Sequence, residues 1–227
     1  RVAEAGVDVI GELIVRPNLD EDEIDHERNV IVEEIRSYLD DPSEFDQMLF
    51  QQAMFGNGPL GREICGDEDA IRTVAADTIR DFWAATYRPA NTVVAIAGDL
   101  SHDQAVGLVD RSFGRGNGRV PGFDPAPNLP AGERVVVARR DTAQAQLAIG
   151  VPGLRRDHPQ AWTLAVLNGV LGDGMSSRLF LTVREELGLA YDVGSGAVDY
   201  ADSGALTISA GVDPVKLEPA VAAILSE

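Results

Sequence analysis

The chain has 227 residues, room for one large or two medium domains, and its 44% hydrophobic and 25% charged content is that of an ordinary globular protein. A formal net charge of -18 argues against a phosphate-backbone ligand, which needs clustered Lys and Arg, and so against nucleic acid as a partner. A single cysteine, Cys65, excludes an internal disulfide and any multi-cysteine zinc site; between Ile64 and Gly66 it reads as a small buried or loop thiol rather than a nucleophile.

The opening residues Val2, Ala5, Val9, Leu13 and Ile14 fit a helical stripe, and the chain stops at Ala222 to Glu227 in a helical pattern without a stop signal. Both ends therefore read as cut, and the chain as a fragment of a longer protein. No apolar run approaches membrane-spanning length and no signal peptide opens the sequence. After Arg16-Pro17-Asn18 breaks the first helix, Asp20 to Glu23 supplies an acidic start for a second, which ends at Asp40-Asp41-Pro42. A third spans roughly Glu44 to Met54, followed by a loop of turn formers from Gly56 to Arg62. Thr78 to Tyr87 is helical by pattern. Thr92 to Ala97 reads as a buried strand, and Ser101 with Gln104 as the capping box of the next helix.

The tract from Gly114-Arg115-Gly116 through Pro121, Pro125, Pro127 and Pro130 reads as a linker. Beyond it the pattern predicts strands at Arg134 to Ala138, Gln146 to Val151, Tyr191 to Val198 and Ala205 to Val212, and helices at Gln160 to Leu171 and Ser176 to Leu187. An echo links the halves: Val93 to Asp99 and Leu206 to Asp213 are each a β-branched run ending in Ala-Gly before an Asp-containing helix start. Helices and strands mix without regular alternation, which predicts an α+β fold with antiparallel sheets.

The second helix carries the chemistry. At about 100° per residue, Ile24, Ile31, Ile35, Tyr38 and Leu39 share one arc, and Glu27 and Glu34, at i and i+7, fall inside it while Glu33 points away. A buried carboxylate is costly unless compensated, either by a metal or by an Arg or Lys from a neighbouring helix. The three histidines, His26, His102 and His158, are widely separated and read as surface residues, and no His-x-x-Glu-His or His-Glu-x-x-His pair occurs.

Asp20 to Ile24 followed by Glu27 to Ile35 resembles the stretch after the zinc motif of the pitrilysin/insulinase family, which includes mitochondrial processing peptidases and their bacterial relatives. Asp41-Pro42, Phe55-Gly56, Pro59 to Arg62, Tyr87-Arg88-Pro89 and Ala97-Gly98-Asp99 agree with it, as do Gly172 to Phe180 and Arg184 to Tyr191. The resemblance implies that Glu34 is the distal glutamate ligand of Zn2+, that Glu27 supports a ligand histidine from outside the metal's own shell, and that the two histidines and the general base lie upstream of this fragment. It implies that Arg184 and Tyr191 bind substrate, against the plainer reading of a helix-surface Arg beside a core Tyr. The loop from Gly172 to Ser177 would face the substrate.

The expected fold is two homologous α+β domains, each an antiparallel sheet packed with helices: residues 1–115 belong to the zinc-bearing domain, 116–132 to the linker, and 133–227 to the second domain. The expected function is that of a zinc metalloendopeptidase cleaving unfolded peptides or presequence-like substrates in a chamber between the domains. Substrate would add a strand to a sheet edge, and the fragment itself would be inactive. The rival is a non-catalytic subunit or scaffold of the same fold. Expected partners are a peptide or unfolded protein and a second subunit, as homodimer or heterodimer, and the expected compartment is the cytoplasm.

Overall fold

A computed structural model describes residues 2–114 and 135–227. They group into two compact units, one of residues 2–34 and 67–114, the other of 35–66 and 135–227. The linker expected at 116–132 lies outside the described residues.

The first unit is helical. Helix α1 (Val2–Val15) packs against α6 (His102–Phe113), and a Cβ at Gly11 would lie 2.8 Å from the Ser112 Cβ, so this crossing needs glycine. The Ser112 hydroxyl donates to Asp8 across the contact. Close approach thus buries Val7 and Gly11 and leaves Val2, Val9 and Leu13 exposed, on the opposite side from the one the apolar stripe predicts. Trp83 of α5 (Ala76–Thr86) donates its indole N–H to the Ile14 carbonyl, 2.9 Å, and Arg80 donates to Leu19, tying α5 to the end of α1. The expected capping box is present: Ser101 Oγ accepts from the Gln104 N–H and the Gln104 side chain accepts from the Ser101 N–H. A short helix α4 (Glu68–Thr73), absent from the sequence reading, has Asp67 as its N-cap.

The strand expected at 92–97 does not form. No described residue pairs with the segment in a ladder, and Val93 is 95% exposed. β-propensity makes a segment able to join a ladder, and the ladder itself needs a neighbour. The same correction applies to 135–138, which forms no ladder among the described residues and leaves Val135 and Val137 exposed.

The second unit holds a three-stranded antiparallel sheet in the order β1-β3-β2, formed by β1 (Ala145–Pro152), β2 (Ala190–Asp199) and β3 (Gly204–Val212). The pleat separates two faces. Leu147, Ile149, Val193, Ile208, Ala210 and Val212 pack with Leu171, Leu179, Val183, Ala220 and Ile224, which come from α7 (Ala161–Leu171), the helical stretch after it and α8 (Leu217–Ser226). Fully burying a Leu or Val contributes about 1.5–3 kcal/mol, so Leu179 and Val183, both wholly buried, anchor this layer. The opposite face is small: Ala148, Gly150, Gly194, Gly196, Thr207 and Ser209. Phe50 of α3 (Pro42–Phe55) lies on it, and a Cβ at Gly150 would sit 2.4 Å from its ring. Phe55 meets Tyr200 edge-on at 5.6 Å, and Arg140 lies 3.6 Å over the Phe45 ring while donating to the Leu39 carbonyl. Antiparallel strands with helices on the sheet make the α+β class plain.

Candidate functional site

Helix α2 (Glu21–Asp40) presents its carboxylates differently from the expectation. Its buried side is Ile24, Val32 and Ile35, completed by Ile31, Leu39 and the Arg28 side chain, which is only 15% exposed. Arg28 donates to the carbonyls of Ile71 and Val74 and to Asp25, 3.0 Å, so it satisfies orphan carbonyls where α4 ends. Glu27 and Glu34 are exposed, as are Val30 and Tyr38. The arc that the sequence centred on Ile31 and Tyr38 is in fact centred between Ile35 and Arg28, because a buried arginine fills a position the apolar pattern leaves blank. No desolvation cost therefore needs to be offset at either glutamate.

What the pair does offer is availability. Glu27 and Glu34 lie on one strip, ~10 Å apart along the helix axis, and among the described residues neither has a hydrogen bond or ion pair. Zn2+ takes carboxylate oxygen as one ligand of a tetrahedral set. A free carboxylate on a 20-residue helix is chemically able to fill one such position. Among the described residues no group of three or more His, Cys, Asp or Glu converges. His26 and His102 are exposed, and His158 is half-buried with Nδ1 accepting from the Gln160 N–H. Cys65 is a free, half-buried thiol in a loop.

Arg184 and Tyr191 belong to the second unit, and there the structure brings them together. The Arg184 guanidinium carbon lies 5.9 Å from the Tyr191 ring centre and 4.7 Å from that of Phe180. Two irregularities place them. Residues Phe180–Glu186 wind as a π-helix rather than the expected α-helix, with the Leu187 N–H reaching the Thr182 carbonyl five residues back. Tyr191 is the extra residue where the β2–β3 register shifts between Ala190 and Asp192, and such bulges re-aim a side chain; Tyr191 is 74% exposed. The reading of Tyr191 as ordinary core is excluded by that exposure.

The Gly172 to Ser177 loop is pinned beside this pair's strand. The Ser195 N–H on β2 donates to the Gly172 carbonyl, 3.0 Å, and the Ser195 hydroxyl donates to Asn168 Oδ1, 2.7 Å. A Cβ at Gly172 would meet Ser195 Oγ at 2.4 Å, so only glycine fits there. Asn168 and Ser195 were invisible as partners in the sequence, as was Phe180; a polar residue in the apolar run of α7 was the one available signal.

A helix-flanked antiparallel sheet with an arginine and a tyrosine held at its rim makes this an α+β domain. A family profile described as the peptidase M16 inactive domain matches residues 73–227, and the chain belongs to the M16 (pitrilysin/insulinase) peptidase family. It is 39% identical over 215 residues to an uncharacterized zinc protease of Streptomyces coelicolor, covering 92% of this chain and 47% of that protein. With the zinc protease YmxG of Bacillus subtilis the identity is 36% over 218 residues, covering 95% and 52%. The crystal structure of a peptidase M16 inactive domain from Pseudomonas fluorescens superposes with a TM-score of 0.86 at 21% identity, covering 98% of this chain and 54% of that one. The chain spans about half the length of the curated relatives it matches.

Proposed function

We propose that this chain is part of a zinc-dependent metalloendopeptidase that cleaves unfolded peptides between two homologous domains. In this reading residues 1–115 contribute to the zinc-bearing domain and 133–227 to the second. Glu34 holds the metal and Glu27 orients a ligand histidine through its free N–H. Zinc, when bound, supplies a water of lowered pKa and polarises the scissile carbonyl. Arg184 donates to a substrate carbonyl or carboxylate, and the Tyr191 hydroxyl donates to oxygen that gains negative charge. The compartment is the cytoplasm and the second subunit a copy or a relative.

The observation that carries this is the Arg184–Tyr191 pair, set at one rim by a π turn and a bulge, in a chain whose relatives are named zinc proteases. The rival reading, a non-catalytic subunit or scaffold, draws on the profile's description as an inactive domain. Elemental analysis and peptide hydrolysis separate them. The 227-residue chain, with no histidine pair, should retain well under one zinc after dialysis. The protein extended to its relatives' length should retain about one and hydrolyse a quenched fluorogenic peptide, and Glu34→Gln should lower both. An extended protein that folds, holds no zinc and cleaves nothing supports the scaffold.

A further inference from the structure

We propose that Phe180 is the positioning residue for Arg184, its ring face holding the guanidinium so that the N–H edges stay free for ligand. This rests on the reading of Arg184 as a substrate-binding residue. The guanidinium carbon is 4.7 Å from the Phe180 ring centre, inside the range in which an aromatic face attracts a cation. The other contacts hold it less. Tyr191 is at 5.9 Å and 74% exposed, and Glu185 is at 3.7 Å with both side chains well exposed to solvent, where an ion pair contributes little. Among the described residues Arg184 donates no hydrogen bond.

That combination differs from the structural arginines of the same chain. Arg28 and Arg80 spend their donors on backbone carbonyls and aspartates, and Arg140 spends one on Leu39. Arg184 lies over a ring face instead, and its planar guanidinium carries five donors, none of which is spent on a described residue. The ring is itself well founded, since its chain neighbours Leu179 and Val183 are wholly buried and the Phe180 N–H reaches the Ser177 hydroxyl. Residues 180 and 184 are four apart in this helical stretch, a spacing that puts ring and guanidinium on nearly one side of the turn.

The test uses the 227-residue chain, labelled with 15N, and an N-terminally fluorescein-labelled dodecapeptide of Ser, Gly and Ala. In the wild type the Arg184 Nε–Hε signal, assigned by its loss in Arg184→Lys, should be shifted upfield by the ring. Phe180→Leu should remove that shift and weaken peptide binding, read by anisotropy, about fivefold, with the melting curve unchanged; Phe180→Tyr should restore both. Phe180→Leu that abolishes the shift yet binds like wild type overturns the positioning role. Arg184→Ala that binds like wild type instead overturns the reading beneath it, whatever Phe180 does.

Discussion

Val93 to Asp99 and Leu206 to Asp213 are nearly the same sentence written twice, and the molecule treats them in opposite ways. The second is the middle strand of the sheet, paired on both sides from Ala205 to Val212. The first is unpaired among the described residues, with Val93 in solvent. The difference teaches that an apolar β-branched run ending in Ala-Gly supplies a propensity, while pairing specifies a strand. The energetic consequence follows directly: Val93 has little to lose, although Val94 and Ile96 beside it are half-buried, and a side chain in the second segment is held by two neighbours and a core layer.

The largest expected effect sharpens that contrast. Val212→Asp would place a carboxylate at a position 1% exposed and should destabilise the second unit by about 4 kcal/mol or more in urea denaturation, whereas Val93→Asp should change stability by less than about 0.5 kcal/mol. Equal losses would mean that 92–97 is paired in solution. A smaller effect is expected one layer out. The Ser195 N–H at the free edge of β2 is satisfied by Gly172 rather than by a fourth strand. Gly172→Ala would drive a methyl to within 2.5 Å of that backbone nitrogen and should cost about 1–3 kcal/mol. Gly169→Ala, where the methyl meets nothing within 4 Å inside α7, should be neutral or stabilising by up to about 1 kcal/mol. A Gly172→Ala variant as stable as wild type would show that the edge contact is dispensable.

Legibility divided along the same line of local against non-local. Helices α2, α3, α5, α6 and α7 were readable because caps and 3.6-residue periodicity are local, the Ser101–Gln104 box above all. The strands at 145–152, 190–199 and 204–212 were readable as segments, and their order was not. The site was half legible. Arg184 and Tyr191 were named from the resemblance, but the π turn and the bulge that join them depend on packing around Leu179 and Val183. The Glu27 and Glu34 roles came from the same source. Their predicted burial failed because Arg28, a charged residue that periodicity counts as outward, is turned inward by carbonyls more than 40 residues away.

The finest test concerns the layer that covers the small face of β1. Asp46 of α3 is half-buried, and burial holds its carboxyl above the usual carboxylate range. An acid whose pKa is higher folded than unfolded binds its proton more tightly in the native chain. Its ionised form therefore opposes folding at neutral pH. As pH falls through the interval from the raised value down to the ordinary one, the native state takes up the proton first and that opposition is relieved. Asp46→Asn removes the charge at every pH, so it should stabilise the chain at pH 7 by less than about 1 kcal/mol, given partial solvent screening. The advantage should shrink to nothing as pH approaches about 4. Urea midpoints of both proteins at pH 7 and pH 4 decide it. A loss of stability at pH 7 would mean that the carboxylate has a compensating partner in solution, and that α3 is held on the sheet by charge as well as by Phe50.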